Sequence, residues 1–173
     1  MHNLNDIDPT LVDRIAEHLH AIIQLLGEDP QREGLLKTPE RAAKAMLENT
    51  RGYRQQAQPV IQNAIFSHDG SQLVIVKDIE FYSLCEHHLL PFYGTIDIGY
   101  LPDGHILGLS KAARTVDIYA RRLQVQERLT AQICQALAQN MPNNGVIVQC
   151  RAHHLCMMMR GVEKQQSTTI TTH

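Results

Sequence analysis

The sequence contains no tryptophan, and aromatic residues make up only 5% of its 173 residues. Aliphatic side chains must therefore fill most of any core. Hydrophobic residues amount to 43% of the chain and charged residues to 20%. This balance excludes an intrinsically disordered chain and is typical of a globular protein. The length suits one domain, or one domain with an appended helical arm.

A large excess of charge of either sign is also missing. The formal net charge is -2 at pH 7, whereas general nucleic-acid binding requires a strong basic excess. No apolar run approaches the ~20 residues that are needed to cross a bilayer. The first residues, MHNLNDIDPT, have neither the basic nor the apolar segment of a signal peptide. We therefore expect a cytoplasmic protein that binds neither nucleic acid nor membranes.

The chain has four cysteines: Cys85, Cys134, Cys150 and Cys156. In the cytoplasm, cysteines are more often free, catalytic or metal-bound than paired in disulfides. We expect Cys134 and Cys150 to be packing residues, because a free cysteine behaves as a small hydrophobic side chain. Cys85 and Cys156 lie beside histidines and are candidates for metal binding.

Two helices are predicted near the N-terminus. Apolar residues recur at helical spacing over residues 9–26, and the pattern restarts at TPERAAKAM, with Thr38 as the cap and Pro39 at the first helical position. Residues 55–70 are polar and irregular. The chain is therefore predicted to divide into a helical arm over residues 1–54 and a second domain over residues 55–173.

From residue 72 onward, the spacing of the apolar residues changes from that of helices to that of strands. QLVIVKDIEFYSL and GTIDIGYLP are rich in strand-forming residues,. Residues 109–123 and 125–141 are predicted as helices, residues 145–161 as one long strand, and residues 165–172 as a last strand. The resulting order, ββααββ after two leading helices, predicts an α+β fold with an antiparallel sheet.

The stretch SLCEHHLLPF places reactive side chains next to apolar ones. Cys85 and His88 would point to opposite faces of a straight strand, because side chains alternate. In a tight turn the two can converge, and Pro91 is consistent with a strand that has ended. Cysteine and histidine at this spacing suit Zn²⁺. They make half of a metal site.

The stretch RAHHLCMMMRG supplies the other half. His154 and Cys156 are two residues apart on a predicted strand and would share one face, with His153 on the opposite face. Cys85, His88 and Cys156 would then form a three-ligand site with a fourth position open, which is the catalytic arrangement for zinc. His87 and His154 would remain as acid–base groups beside the metal.

Four motifs in this order, CEHHLLPFYG, GLSKAAR, QVQERLT and HHLCMMMRGV, resemble the GTP cyclohydrolase I family. The resemblance runs from TPERAAKAM to STTITT. It implies the tunnelling fold for residues 55–173 and a Zn²⁺ enzyme that hydrolyses GTP to formate and 7,8-dihydroneopterin triphosphate, the first step of tetrahydrofolate and other pterin biosynthesis. It also implies a toroidal homodecamer with active sites at subunit junctions.

The resemblance also implies roles for individual residues. The zinc ligands fall on Cys85, His88 and Cys156, and the catalytic histidines on His87 and His154. The guanine-binding residues fall on Glu127, with Gln126 beside it. The remaining implied contacts are hydroxyl or basic residues that bind the triphosphate or lie near it: Ser110, Lys111, Arg114, Arg160, Arg41 and Lys44.

Two other functions compete with this interpretation. One is a different enzyme of the same fold that handles a pterin or a deazapurine. The other is a zinc-stabilised oligomeric binding protein without catalytic activity, although a purely structural metal site has no use for the two additional histidines. Release of formate from GTP distinguishes all three.

Overall fold

The structure is a computed structural model that describes residues 8–173. Residues 1–7, the start of the predicted arm, lie outside the described residues. The chain divides into two compact units, one that ends at Thr50 and one over Arg51–His173. Among residues 8–173, no helix is both long enough and apolar enough to span a membrane.

The first unit is a pair of helices, α1 (Pro9–Leu25) and α2 (Thr38–Asn49). The carboxylate of Asp8 caps α1 by accepting a hydrogen bond of 2.9 Å from the backbone N–H of Thr10. The buried residues between the two helices are Val12, Ala43 and Leu47. The prediction that Thr38 caps α2 is wrong, because Thr38 is already helical and its hydroxyl donates backwards to the Gly34 carbonyl at 3.3 Å.

The second unit mixes helices and strands, which confirms the α+β class. After a short 3-10 helix at Arg51–Arg54, its elements are, in order, α3 (Ala57–Gln62), β1 (Ile65–Ser67), β2 (Val74–Cys85), β3 (Pro91–Pro102), β4 (His105–Leu107), α4 (Leu109–Ala120), β5 (Leu123–Gln124), α5 (Gln126–Asn140), β6 (Asn143–His154), α6 (Leu155–Met158) and β7 (Thr169–Thr172).

Five strands form the main sheet in the order β5-β2-β3-β6-β7. The pairs β2/β3, β3/β6 and β6/β7 are antiparallel, whereas the two-residue strand β5 pairs parallel to the end of β2. A separate two-stranded sheet joins β1 to β4. It occupies part of the segment 55–70, which was predicted to be irregular.

The core of this unit lies where helices α4 and α5 pack against the main sheet. Phe81, Phe92 and Ile96 from the strands meet Val116 and Leu129 from the helices, and all five are fully or almost fully buried. Cys134 and Cys150 are free and buried in the same core, as expected for packing residues.

The prediction of one strand over residues 145–161 is wrong at its end. Strand β6 stops at His154, and Cys156 lies in the four-residue helix α6. The reason lies in the neighbouring strand, because the β3/β6 pairing ends at Phe92 and His154, one residue after β3 begins at Pro91. Proline has no N–H to extend the ladder. His154 and Cys156 therefore do not share a strand face.

Candidate active site

A tight turn brings Cys85 and His88 together at the end of β2. The Cys85 N–H donates to the Leu90 carbonyl and the Leu89 N–H donates back to the Cys85 carbonyl, both at 2.8 Å. Leu89 closes the turn with a φ of 56°, in the left-handed region. As a result, His88 Nδ1 lies 3.9 Å from Cys85 Sγ. The predicted convergence in a turn is therefore what the structure contains.

Helix α6 brings the third candidate ligand to the same point. The ligand atoms of Cys85, His88 and Cys156 all lie within 4.8 Å of one another. Ligand atoms around one tetrahedral zinc are roughly 3.5–3.8 Å apart, so small side-chain rotations would bring these three into range. A set of two thiols and one imidazole is chemically suited to zinc.

The surroundings of Cys156 add to this suitability. Burial raises the pKa of the Cys156 thiol, and the neighbouring Cys85 raises that pKa further. Two thiolates at this separation repel each other, so a bound divalent cation would offset the repulsion.

His154 has a defined orientation at the end of β6. Its ring stacks on the buried ring of Phe92, with centroids 4.8 Å apart and an interplanar angle of 2°. Burial lowers the pKa of His154, while the carboxylate of Glu127 acts in the opposite direction. The carboxylate of Glu127 therefore lies close enough to His154 to affect its pKa. His153 tilts against Tyr93 instead.

His87 is exposed and lies beside an acidic neighbour. Its Nε2 is 3.9 Å from Glu86 Oε1, and the other carboxylate oxygen of Glu86 forms an ion pair with Arg128. The hydrogen bond from Arg128 holds the pKa of the Glu86 carboxyl below its usual range. One carboxylate oxygen of Glu86 thus faces Arg128, and the other faces His87.

Gln126, which the resemblance implies as a substrate-binding residue beside Glu127, has its side chain inside the fold. The side chain is 2% exposed. Its Nε2 donates to the Cys150 and Thr169 carbonyls at 3.0 Å and to Thr171 Oγ1 at 3.2 Å. Gln126 thereby joins the first turn of α5 to strands β6 and β7, next to the exposed Glu127.

The residues predicted to bind phosphate fall into three groups. Arg160 lies beside the three candidate ligands Cys85, His88 and Cys156, which are called the metal cluster below. Its Nη1 is 3.4 Å from His88 Nε2. Ser110, Lys111 and Arg114 lie in the first half of α4. Arg41 and Lys44 belong to the first unit, where Lys44 forms an ion pair with Glu40.

The α4 group is remote from the metal cluster within one chain. Just before α4, the Leu107 N–H donates to the hydroxyl of Tyr100 at 3.1 Å. Tyr100 lies eight residues along β3 from Phe92, which pairs with both Ser83 and His154 at the cluster end. At a rise of ~3.3 Å per residue, roughly 25 Å separate these two points of the strand. The described chain therefore does not bring Lys111 and Cys85 together.

Two residues that shape the site were not predicted. Phe92 lies under His154, and Arg128 holds Glu86. Both were within motifs already singled out, CEHHLLPFYG and QVQERLT. From the sequence alone, Phe92 is expected to be an ordinary core residue and Arg128 a surface cation, because the partners of both residues are distant in sequence.

Comparison with known proteins gives a consistent result. A family model described as GTP cyclohydrolase I matches residues 15–173. A GTP cyclohydrolase 1 from Bacteroides fragilis is 56% identical over 166 residues, which cover 96% of this chain and 85% of that protein. A GTP cyclohydrolase 1 2 from Pseudomonas aeruginosa is 56% identical over 158 residues, covering 91% of this chain and 87% of that protein.

Among solved structures, an archaeosine synthase QueF-Like in the apo form is a much more distant match. It is 17% identical, with a TM-score of 0.46, and the match covers 60% of this chain and 95% of that one. A likeness at this level supports no conclusion about the fold or the activity.

Proposed function

The chain belongs to the GTP cyclohydrolase I family, and from that premise we propose that this enzyme hydrolyses GTP to formate and 7,8-dihydroneopterin triphosphate with the help of zinc. This reaction would be the first step of tetrahydrofolate and pterin biosynthesis. The observation that carries the proposal is the convergence of Cys85, His88 and Cys156. His87 precedes one ligand directly, and His154 precedes another by two residues.

The three converging side chains are the proposed ligands of the zinc ion. Three protein ligands leave one position for water, as in catalytic zinc sites. When bound, zinc would lower the pKa of that water to about 7 and so supply a nucleophile for C8 of guanine. Two thiolate ligands favour zinc over Fe²⁺ or Mn²⁺.

Glu127 is the proposed guanine-binding residue. A carboxylate can accept hydrogen bonds from both N1–H and the 2-amino group of guanine, whereas adenine does not present this pair of donors. Glu127 lies on the first turn of α5 and is exposed. The hydrogen bonds of Gln126 fix that turn against the sheet, so the proposed contribution of Gln126 to binding is to hold Glu127 in place.

The two histidines are the proposed acid–base groups. His154 would protonate N7 of the purine, which makes C8 more electrophilic. Water addition at C8 then opens the ring to a formamide, a second hydrolysis releases formate, and rearrangement of the sugar closes the new ring. His87 would transfer protons during these steps. The influence of Glu127 on the pKa of His154 supports this proposal, because it means that the two side chains lie near each other.

The triphosphate requires cations, and the proposed contacts are Arg160 at the metal cluster and Ser110, Lys111 and Arg114 on α4. We propose that the α4 residues reach a site from a neighbouring copy, because one chain holds them at the opposite end of the sheet. A homodecamer with sites at subunit junctions would satisfy this requirement. Arg41 and Lys44 are further proposed cations near the phosphates.

The fold assignment follows the same premise. We propose that β2, β3, α4, α5, β6 and β7 form the ββααββ unit of a tunnelling fold. In this proposal residues 55–173 are the catalytic domain, residues 1–54 are an N-terminal helical arm, and the protein is cytoplasmic. The order of these elements along the chain supports the assignment.

Formate release tests the proposed function directly. The purified protein should contain about one zinc per chain and release formate from GTP but not from ATP. Cys156→Ala should lose both zinc and formate release, since it removes a thiolate ligand. Cys134→Ala is the matched control, because Cys134 is buried in the core and its thiol donates to the Val146 carbonyl at 3.5 Å. Full zinc occupancy in Cys156→Ala would remove that residue from the site.

A further inference from the structure

Glu86 lies between Cys85 and His87, and its carboxylate is divided between two partners. One oxygen forms an ion pair with Arg128, and the other lies 3.9 Å from His87 Nε2. Among the described residues, the three converging ligand atoms come from other side chains. The proposed metal and guanine contacts therefore do not involve the Glu86 carboxylate.

Two neutral groups hold the guanidinium of Arg128 in addition to its ion pair with Glu86. Its Nε donates to Gln124 Oε1 at 3.1 Å, and its Nη2 donates to the Leu123 carbonyl at 3.2 Å. Gln124 is itself 1% exposed, and its amide donates to the Tyr119 carbonyl at 3.0 Å. The guanidinium is thus attached to a buried framework, and this framework determines where Glu86 is held.

The same framework holds the main chain of the turn. The Glu86 N–H donates to the Gln124 carbonyl at 3.0 Å, and β5 pairs with β2 through Gln124 and Cys85. Arg128 directly follows Glu127 on the first turn of α5. The ion pair therefore links the turn that carries His87 to the turn that carries Glu127.

A contribution to folding does not account for this pair. The Glu86 and Arg128 side chains are 33% and 42% exposed, and ion pairs this open to water contribute little to stability. A carboxylate that is held on one side by a fixed cation nevertheless presents its other oxygen in a fixed direction. The distance of 3.9 Å to His87 can shorten to a hydrogen bond in the substrate complex, where catalytic contacts tighten,.

We propose that Glu86, held by Arg128, is a positioning residue for His87. Glu86 orients the imidazole of His87 towards the substrate, and Arg128 keeps the Glu86 carboxylate away from the metal ligands. This inference rests on the proposed function, because it assigns Glu86 to a histidine that the proposed reaction uses.

Glu86→Gln tests the inference, since it removes the charge with little change of shape. In the zinc-loaded enzyme we expect kcat for formate release to fall roughly 10- to 100-fold, as for a catalytic group that is displaced. The KM for GTP, the zinc content and the melting temperature should not change. In a His87→Ala background the same substitution should cause no further loss of kcat, because Glu86 acts through His87. An equal loss in both backgrounds, a loss of zinc, or an unchanged kcat in the single variant would overturn the proposal.

Charge reversal separates positioning from a purely structural pair. The double variant Glu86→Arg with Arg128→Glu restores an ion pair between the turn and α5 but places a cation beside His87. We expect wild-type zinc content and wild-type GTP binding in a calorimetric titration, together with a low kcat. The melting temperature should fall in this variant, because Arg128→Glu also removes the donors to Gln124 and to the Leu123 carbonyl. Recovery of kcat in the double variant would contradict the inference.

Two controls complete the experiment. Glu28→Gln breaks a comparably exposed ion pair with Arg32 in the first unit and should leave kcat unchanged. Formate release by the wild-type enzyme is measured alongside all variants. Its absence would refute the proposed function itself, whereas wild-type turnover in Glu86→Gln would refute only the role of Glu86.

Discussion

At the scale of single residues, Glu127 determines the proposed choice of guanine. Glu127→Gln replaces an acceptor oxygen with an amide that donates towards the guanine N–H groups. We expect GTP binding to weaken by about 1–3 kcal/mol, the usual penalty for an unsatisfied buried polar contact, while zinc content stays the same. Calorimetric titration measures the change, with the exposed Glu33→Gln as a control that binds normally. Unaltered affinity in Glu127→Gln would exclude Glu127 from the substrate site.

His154 is the residue whose role is separable from metal binding. His154→Ala should keep zinc and GTP binding but lose on the order of 100-fold or more in turnover, as expected when a general acid is removed. His153→Ala is the matched control, because His153 packs against Tyr93 and not against Phe92. Metal analysis and formate release on the same preparations decide the matter. If His154→Ala loses zinc, His154 is a ligand; if it retains turnover, His154 is only a packed strand residue.

The sequence predicted which side chains of the metal cluster converge, but not why all of them do. Cys85 and His88 are three residues apart, so a local turn was sufficient to bring them together. Cys156 was placed in the cluster by an expected strand, and it reaches the cluster from helix α6 instead. Local spacing fixes local geometry, whereas the path of the chain after β6 depends on where its partner β3 begins.

At the scale of elements, the length of a helix or strand determined whether it could be predicted from the sequence. Helices α1 and α5 and strands β2, β3 and β6 are each 12 residues or longer, and all carry a clear apolar period. Short elements such as α3, β1, β5 and α6 were missed, because tertiary contacts and not local period stabilise segments of this length. β5, for example, exists through pairing with the end of β2.

Strands β3 and β6 approach closely at Gly94, and this contact is testable. A Cβ at Gly94 would lie 1.9 Å from the Arg151 carbonyl oxygen and 2.8 Å from Ala152 Cα. These are backbone atoms of β6 that cannot rotate away, so Gly94→Ala should separate the strands beside His154. We expect a loss of about 1–3 kcal/mol in stability, as for an overpacked core. Denaturant unfolding measures it.

Gly99 provides the matched control on the same strand. A Cβ at Gly99 meets the side-chain methyl group of Ile147 at 2.9 Å, and Ile147 is exposed and able to move. Gly99→Ala should therefore cost less stability than Gly94→Ala. Equal stability of the two variants would show that β3 and β6 can separate at Gly94 without cost.

At the scale of the whole molecule, the proposed site requires more than one chain. If Lys111 of one copy completes the cluster of Cys85, His88 and Cys156 of another, two inactive variants should complement each other. Lys111→Ala and Cys156→Ala are each expected to release almost no formate. Refolding or co-expressing them together should restore a fraction of the activity, because mixed junctions contain one intact half from each parent. Mixtures that remain as inactive as their parents would place the whole site within a single chain.

The distance between α4 and the metal cluster also has a kinetic consequence. If α4 binds the phosphates and the cluster binds the metal, as proposed, a chain that holds the two groups at opposite ends of one sheet is not expected to turn over its substrate in isolation. Catalytic competence then obeys mass action: as chains are diluted, junctions dissociate, and formate released per chain falls although every chain stays folded. Anything that strengthens association, including GTP bound across the junction, would raise activity at a fixed chain concentration. Under this proposal, enzyme concentration would control activity through the placement of α4.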